Sequence, residues 1–423
     1  MEVREQRTTF SPKLGYVDTD LGVLPADWKV VSVADAGEVV GGRQRSPRAQ
    51  GTPTKYLRVA NVFDGYIDTF DVLEMPFTSV EKVRFRLRVG DILLNEGQSL
   101  ELVGRSAMFR GSPEDCCFQN TLVRFRVGGQ NVPQYLQSVF QRYLHTGVFS
   151  TIALQTTSIA HLGTTRFAAL LVPLPPTEEQ KAIAGALGDI DALIESLEQL
   201  LVKKRQIKQG AMQELLTGQR RLPGFVSEWH VVRLAELADI RSGGTPSTSR
   251  SEFWSGEIPW CTPTDITGLQ AGKYLQRTSR TVSALGLAAS SAELIPSGSI
   301  VMTSRATIGV CAINVVPLST NQGFKNFVPF ECVVGEFLYY LLTVQRQRFL
   351  SLCAGSTFLE IGKAQLVGYE VRLPVDKSEQ FAIAATLSDM DAELAAVEAR
   401  LAKTRLLKQG VAQALLTGRI RLV

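Results

Sequence analysis

The sequence predicts an α+β protein built twice. Two globular α/β segments are each followed by a long helix, and the helices pair antiparallel as an intramolecular coiled coil about a pseudo-twofold axis. Three observations carry this. Residues 180–222 recur at 380–422 with a constant offset of 200, and 22 of the 43 aligned positions are identical. Apolar residues within both copies follow a heptad spacing. The segments before each copy consist of short alternating runs punctuated by glycine, proline and serine, the pattern of half-buried strands joined by turns. A repeat of this length exceeds solenoid periods, so it marks two domain-sized halves.

The heptad seam comprises Ile183, Leu187, Ile190, Ile194, Leu197 and Leu201 in the first copy. Ile383, Leu387, Met390, Leu394, Val397 and Leu401 form it in the second. Lysines at 204 and 208, matched by Thr404 and Lys408, interrupt the pattern, which resumes on a shifted stripe through Ile207, Ala211 and Leu215. Pro175 and Pro176 precede Thr177, whose hydroxyl can cap the helix while Gln180 reaches back to complete a capping box. In the second copy Asp376 or Ser378 takes the cap. Both copies end in Leu-Leu-Thr-Gly, with Gly218 and Gly418 able to close the helix in the left-handed conformation. A helix over 177–217 would be about 60 Å long. Each stripe needs a partner and the other copy offers a matched one; the alternative is that each helix packs only on its own half. Antiparallel pairing would put the globular segments at opposite ends of a ruler.

Four segments follow: 1–172 and 219–372 as globules, 173–218 and 373–423 as helices. Each globule opens on a tryptophan-led strand, around Trp28 and Trp229. Strand-like runs follow, such as KYLRVANV, VGDILLNEG, GRSAMFRG and NTLVRFRV in the first and IPWCTPTDI, SGSIVMTSRATIGVCAINVV and NFVPF in the second. Helical stretches PQYLQSVFQRYL and GEFLYYLLTVQRQRFL lead back to the long helices. Gly90-Asp91-Ile92 matches Gly298-Ser299-Ile300 in place, and Gln119-Asn120 falls near Asn321-Gln322.

Composition narrows the class. With 423 residues, 45% of them hydrophobic, the chain can build two or more ordinary cores. No apolar run approaches the roughly 18 to 20 residues that span a bilayer, and the first ten residues lack the apolar stretch of a signal peptide, so a cytoplasmic location is expected. The six cysteines (Cys116, Cys117, Cys261, Cys311, Cys332, Cys353) show no metal-ligand spacing and read as reduced, packed thiols. His145, His161 and His230 have no serine or cysteine in a catalytic pattern. Glu179 and Lys181 read as a solvated helix face. No phosphate-binding glycine loop is present, since Gly362-Lys363 is followed by alanine. An aromatic-ended N-P-P-Y motif, which a self-contained DNA adenine methyltransferase would need, is not visible either. A net charge of +4 permits nucleic-acid binding without demanding it.

LPPTEEQKAIAGALGDID and LPVDKSEQFAIAATLSDMD, the two LLTG ends, RRLPGF after the first, and GGTPSTSRSEFWSGEIPWCTPTDI from Gly243 to Ile266 form an ordered set of motifs. Through them the chain resembles the specificity subunit of type I restriction-modification systems. The first half lacks the tryptophan-rich form of that last motif. The resemblance implies a non-catalytic DNA-reading subunit with two target-recognition domains. Its implied partners are double-stranded DNA, two adenine methyltransferase subunits docked on the helices, and restriction/translocase subunits, with no membrane. S-adenosylmethionine, magnesium and ATP would belong to those partners. An orphan or type IIB-like specificity subunit is the alternative within the family. A coiled-coil scaffold without DNA affinity, or an independent nuclease or methyltransferase, are the alternatives outside it.

DNA reading needs basic and amide side chains on exposed loops, because phosphate contacts supply affinity and base-edge contacts supply discrimination. In the first globule the candidates are Arg43, Gln44, Arg45 and Arg48, then Arg84, Arg86 and Arg88 on one expected strand face. Arg105, Arg110, Arg124, Arg126, Gln119 and Asn120 complete that set. In the second they are Arg241, Thr245, Ser247 and Arg250, then Lys273, Arg277, Arg280, Arg305, Asn321, Gln322 and Lys325. Arginine suits guanine and glutamine suits adenine by bidentate geometry. Two readers on a helical ruler imply a bipartite target with an unread gap, and unlike loops imply unlike half-sites.

Overall fold

A computed structural model of the chain describes residues 15–44, 46, 50–155, 158–269, 272–353 and 359–423. The chain divides into two compact units, Met1–Glu195 with Ala402–Val423, and Ser196–Leu401. Neither unit is a globule plus its own helix, because each takes a stretch of both long helices, Thr177–Leu216 and Lys377–Leu415. Among the described residues no helix is long and apolar enough to cross a membrane.

In the first unit the central sheet orders its strands Gly37–Gly41, Leu122–Val127, Ile92–Asn95, Ser106–Met108, all antiparallel. A second sheet has Thr52–Leu57 at its centre, antiparallel to Leu73–Phe77 and parallel to Cys117–Phe118. In the second unit the corresponding central order is Ala238–Ser242, Phe324–Pro329, Ile300–Thr303, Cys311–Asn314, with Tyr274–Leu275 added at the edge. Its second sheet centres on Trp254–Cys261, antiparallel to Arg280–Val282 and parallel to Ser319–Thr320. The tryptophan-led strands Lys29–Ser32 and Trp229–Arg233 pair with Leu171–Leu174 and Glu370–Pro374, the strands that run into the long helices. Gly90 and Gly298 hold φ of +92° and +80° just before equivalent strands, a turn that glycine makes without steric cost.

The helices pair antiparallel within each unit. In the second unit Lys204 meets Glu393 at 2.5 Å, Arg205 meets Glu398 at 2.6 Å, and Lys208 meets Asp391. In the first, Lys408 meets Asp191 at 2.6 Å, so the Lys208 and Asp391 contact recurs with the helices exchanged. All twelve seam residues are buried or half-buried. Their partners are mixed, however. Ile183 and Leu187 belong to the core of the first globule, together with Leu415 and Leu416 from the end of the other helix. Ile383 and Leu387 do the same in the second, with Leu215 and Leu216. The two packing alternatives are therefore both realised: the first turns of each stripe serve globule and partner helix at once. The resumed stripe splits, since Ala211 and Leu215 join a core while Ile207 is 53% exposed.

Two helix-start expectations need correction. Gln180 is buried and does not reach back as a capping-box partner within its helix. Its Oε1 accepts from the Val132 backbone N–H at 2.9 Å and its Nε2 donates to the Pro175 carbonyl, tying the long helix to the start of the Pro133–His145 helix. Gln380 repeats this with Val334 and Pro374. Glu179 is not on a solvated face. It is 2% exposed and accepts from the Trp28 indole at 3.0 Å and from Arg421. A buried carboxylate is tolerated only when paired and hydrogen-bonded, and that pairing comes from distant parts of the chain. Lys181 alone behaves as expected, exposed and paired with Glu178.

Candidate nucleic-acid interface

Each unit builds one turn in the same way. In the first, the Gly42 N–H donates to the Leu122 carbonyl, Arg43 N–H to Phe118, and Asn120 N–H to Arg43, so 41–44 lies against 118–122. A Cβ on Gly42 would stand 2.1 Å from the Gln119 carbonyl oxygen, so only glycine allows this approach. In the second unit Gly244 N–H donates to Thr320, and a Cβ on Gly243 would stand 1.9 Å from the Asn321 carbonyl oxygen. Thr245 then donates its hydroxyl to Gln322. Gln119-Asn120 and Asn321-Gln322 thus occupy equivalent places beside the two glycine turns. Polar side chains are brought to the surface there on rigid backbone: Gln44 and Asn120 in one unit, Thr245, Ser247 and Gln322 in the other.

Each turn presents polar side chains to a partner, and comparisons with known proteins bear on its class. The Type I restriction modification DNA specificity domain matches the chain twice, over residues 25–204 and 226–404. The chain belongs to that family. Among relatives, the Putative type I restriction enzyme MjaX specificity subunit of Methanocaldococcus jannaschii is 24% identical over 428 residues, covering 97% of this chain and 98% of its own. The Type I restriction enzyme MjaIX specificity subunit of the same organism is 39% identical over 166 residues, covering 39% of this chain and 38% of its own. The chain therefore spans well under half the length of that second relative. Among solved structures, a chain from work on complex assembly and conformational transition of the type I R-M system aligns at a TM-score of 0.62. It is 18% identical and covers 94% of this chain and 99% of its own. The type I S subunit from M. genitalium aligns at 0.52 with 15% identity, covering 92% of this chain and 96% of its own. These likenesses show the fold.

Within the specificity fold, the cations picked out by sequence separate into two groups. Several are structural. Arg43 is 8% exposed, pairs with Glu81 at 2.7 Å and lies over the Phe77 ring. Arg124 is buried, bonded to Glu38 at 2.6 Å and to the Arg84 carbonyl; burial pushes its guanidinium pKa down. Arg126 is forked onto buried Asp91, whose hydrogen bond raises its pKa. Lys273 is 8% exposed, donating to Ser388 at 2.5 Å and Tyr340 at 3.2 Å. Lys325 is buried 3.9 Å from Glu360, and burial lowers its pKa. Turning outward would cost these residues those contacts, and for Arg126 it would leave the buried Asp91 carboxylate without its cation. Arg105 lies over the Phe63 ring at 4.7 Å, half-buried in a cavity of about 650 Å³.

The other group stays at the surface. Arg84 is in the last turn of the Ser79–Phe85 helix, with Arg86 and Arg88 in the extended chain after it, so the three do not share a strand face. The capping box of Thr78 and Glu81 starts that helix and overrides the alternating pattern. Arg86 faces Asp115 at 3.3 Å. Arg110, Arg250, Arg277, Arg280 and Arg305 are exposed; Arg305 pairs with Glu360 at 2.9 Å, and half-buried Arg241 pairs with Asp239. Arg45 and Arg48 lie outside the described residues. The cysteines at 116, 117, 261 and 311 are buried free thiols; Cys332 is exposed and Cys353 half-buried.

Sequence patterning did not place Trp254 and Trp260 at the interface, yet both hold its second loop. The Trp260 indole donates to the Gly244 carbonyl at 3.0 Å and Trp254 to the Ser247 carbonyl at 3.1 Å. Both lie in the strand Trp254–Cys261, where an even six-residue spacing would put them on one face, but a register shift between Trp254 and Ile258 and the distant loop they hold are not visible in that spacing.

Proposed function

We propose that this chain is the DNA-reading subunit of a type I restriction-modification complex. It recognises a bipartite, asymmetric target, one half-site for each unit. The observation that carries this is the doubled glycine turn: one backbone device appears in two copies of a DNA specificity domain with different side chains around it. Bidentate amides and arginines discriminate bases, whereas backbone-fixed turns set their register. Unlike loops then require unlike half-sites. The two long helices, common to both units, set the gap between them.

The chain reads and its partners act. Methyltransferase subunits, two by the doubled design, dock on the helices, and restriction/translocase subunits join them. Ile207 and its counterpart Leu407, both exposed apolar residues on the long helices, each supply a contact for such subunits. S-adenosylmethionine, magnesium and ATP belong to those partners.

The test is to express the chain with its methyltransferase subunits in a host without restriction systems and map N6-methyladenine. One interrupted, non-palindromic motif is expected, vanishing when the gene is deleted. Replacing residues 1–172 with those of a relative should change one half-site only. A continuous palindrome would overturn the two-reader reading.

A further inference from the structure

In the second unit one exposed arginine is held unlike the rest. The Arg280 guanidinium lies 3.8 Å from the centre of the Trp254 ring and 5.1 Å from that of Trp260, and the two indoles meet edge to face at 4.9 Å. Arg280 opens the strand Arg280–Val282 and pairs across the sheet with Trp260. The same two tryptophans hold the Gly244 and Ser247 carbonyls of the glycine-turn loop. One aromatic pair therefore fixes both the loop and the arginine beside it.

Its surroundings distinguish this cation from its neighbours. Arg241, Arg305, Lys273 and Lys325 each have a carboxylate within 4 Å. Arg250 lies 3.9 Å from Glu252. Arg280 is exposed, and its side-chain partners among the described residues are the two indole faces. Stacking on an indole orients the guanidinium plane and leaves its edge donors free, while the rotamer entropy of holding it is already met in the unbound protein.

At the equivalent register the described first unit carries no arginine. Tyr56 pairs in parallel with Cys117 as Trp260 does with Ser319, and Leu57 with Phe118 as Cys261 with Thr320. Tyr56 is therefore the counterpart of Trp260, and its cross-strand partner, Leu73, is the counterpart of Arg280. The difference lies beside the interface and belongs to one unit alone.

We propose that Arg280, presented on Trp254, is a specificity-determining residue of the second half-site, its fork donating to the two acceptors of a guanine edge. The inference rests on the DNA-reading function proposed above. A phosphate could take the same two donors, so the experiment separates the two sources. The complete complex with its methyltransferase subunits is used to select bound sequences from randomised duplexes. The wild-type chain and the Arg280→Ala, Arg280→Lys and Trp254→Phe variants are compared, each also by motif-resolved methylation.

Arg280→Ala is expected to relax one G·C position of the second half-site by roughly 5- to 150-fold in preference, the range of one bidentate contact. The first half-site should be unchanged, which serves as the internal check on folding. Arg280→Lys, which keeps the charge but not the fork, should behave like alanine, and Trp254→Phe should fall between. Uniform weakening with an unaltered motif would assign Arg280 to a phosphate and overturn the proposal. An unaltered motif and affinity would overturn it too. A wild-type complex that selects no interrupted motif would sink the underlying function, an outcome read before any variant is compared.

Discussion

Arg421, two residues from the end of the chain, grips Glu179 through two hydrogen bonds of 2.6 and 2.8 Å, and Arg221 grips Glu379 in the same way 200 residues earlier. Trp28 completes the first cluster and Trp229 the second, each indole donating to the same carboxylate. Asp27 adds a second fork on Arg421, and these two carboxylates raise the Arg421 pKa. The end of each repeat thus returns to the beginning of a helix and the first strand of a globule.

Removing one partner of such a pair leaves a buried charge uncompensated. Arg421→Ala should destabilise the first unit by about 3 to 5 kcal/mol, because Glu179 has almost no solvent access. Arg221→Ala should do the same to the second. Hydrogen exchange resolved by peptide checks that each loss stays within its own unit; protection unchanged around residues 28 and 179 in Arg421→Ala would contradict it.

The glycine turns predict a cleaner separation. Gly42→Ala and Gly243→Ala each force a Cβ into a carbonyl oxygen, at 2.1 and 1.9 Å. The backbone must shift, and the amide pair shifts with it. Gly42→Ala should lose one half-site and Gly243→Ala the other, each at least about 10-fold in preference, the order of a single lost base contact. Selection from randomised DNA reads this directly, and loss of both half-sites from either variant would refute it.

Leu387 is wholly buried where helix and second globule share a core. Leu387→Ala should cost about 2 to 5 kcal/mol through lost burial and the cavity left behind. Thermal unfolding measures it. The exposed Leu407→Ala should leave unfolding unchanged while weakening co-purification of methyltransferase subunits.

His145 meets Asp64 at 2.6 Å, joining the helix end to the loop at 63–66. The hydrogen bond that its ring donates to the Asp64 carboxylate raises the histidine pKa. Burial pushes the Asp64 carboxyl up, but hydrogen bonds from His145 and Gln141 outweigh it and hold the carboxyl below its ordinary value. The raised histidine stabilises fully below its unfolded value of 6.5, and that contribution is lost as pH rises through the folded value. The depressed carboxylate stabilises above 3.8, and its share is lost as pH falls. The pair therefore acts most between these limits. The His145→Gln variant should flatten the melting temperature profile above pH 6.5; a slope equal to wild type would count against the pair.

The duplication and the heptad seams were legible because each is a periodic signal. Seam residues announced their burial by spacing alone. Alternation misplaced Arg84, Arg86 and Arg88, since a capping box at Thr78 starts a helix that a period-two pattern does not reveal. Pairing was invisible throughout. Nothing in the sequence distinguishes Arg43, Arg124, Lys273 and Lys325, which are buried against carboxylates or hydroxyls, from Arg280, which stands free on an indole.

The sequence by itself determined the repeated plan, two α+β globules and two amphipathic helices, because hydrophobic period and turn chemistry are properties of neighbouring residues. Tertiary structure alone decided which charges are available to a partner. Burial and pairing depend on residues far apart in the chain, as Glu179 and Arg421 are, and an ionised group becomes structural or functional according to whether folding brings it a counterion.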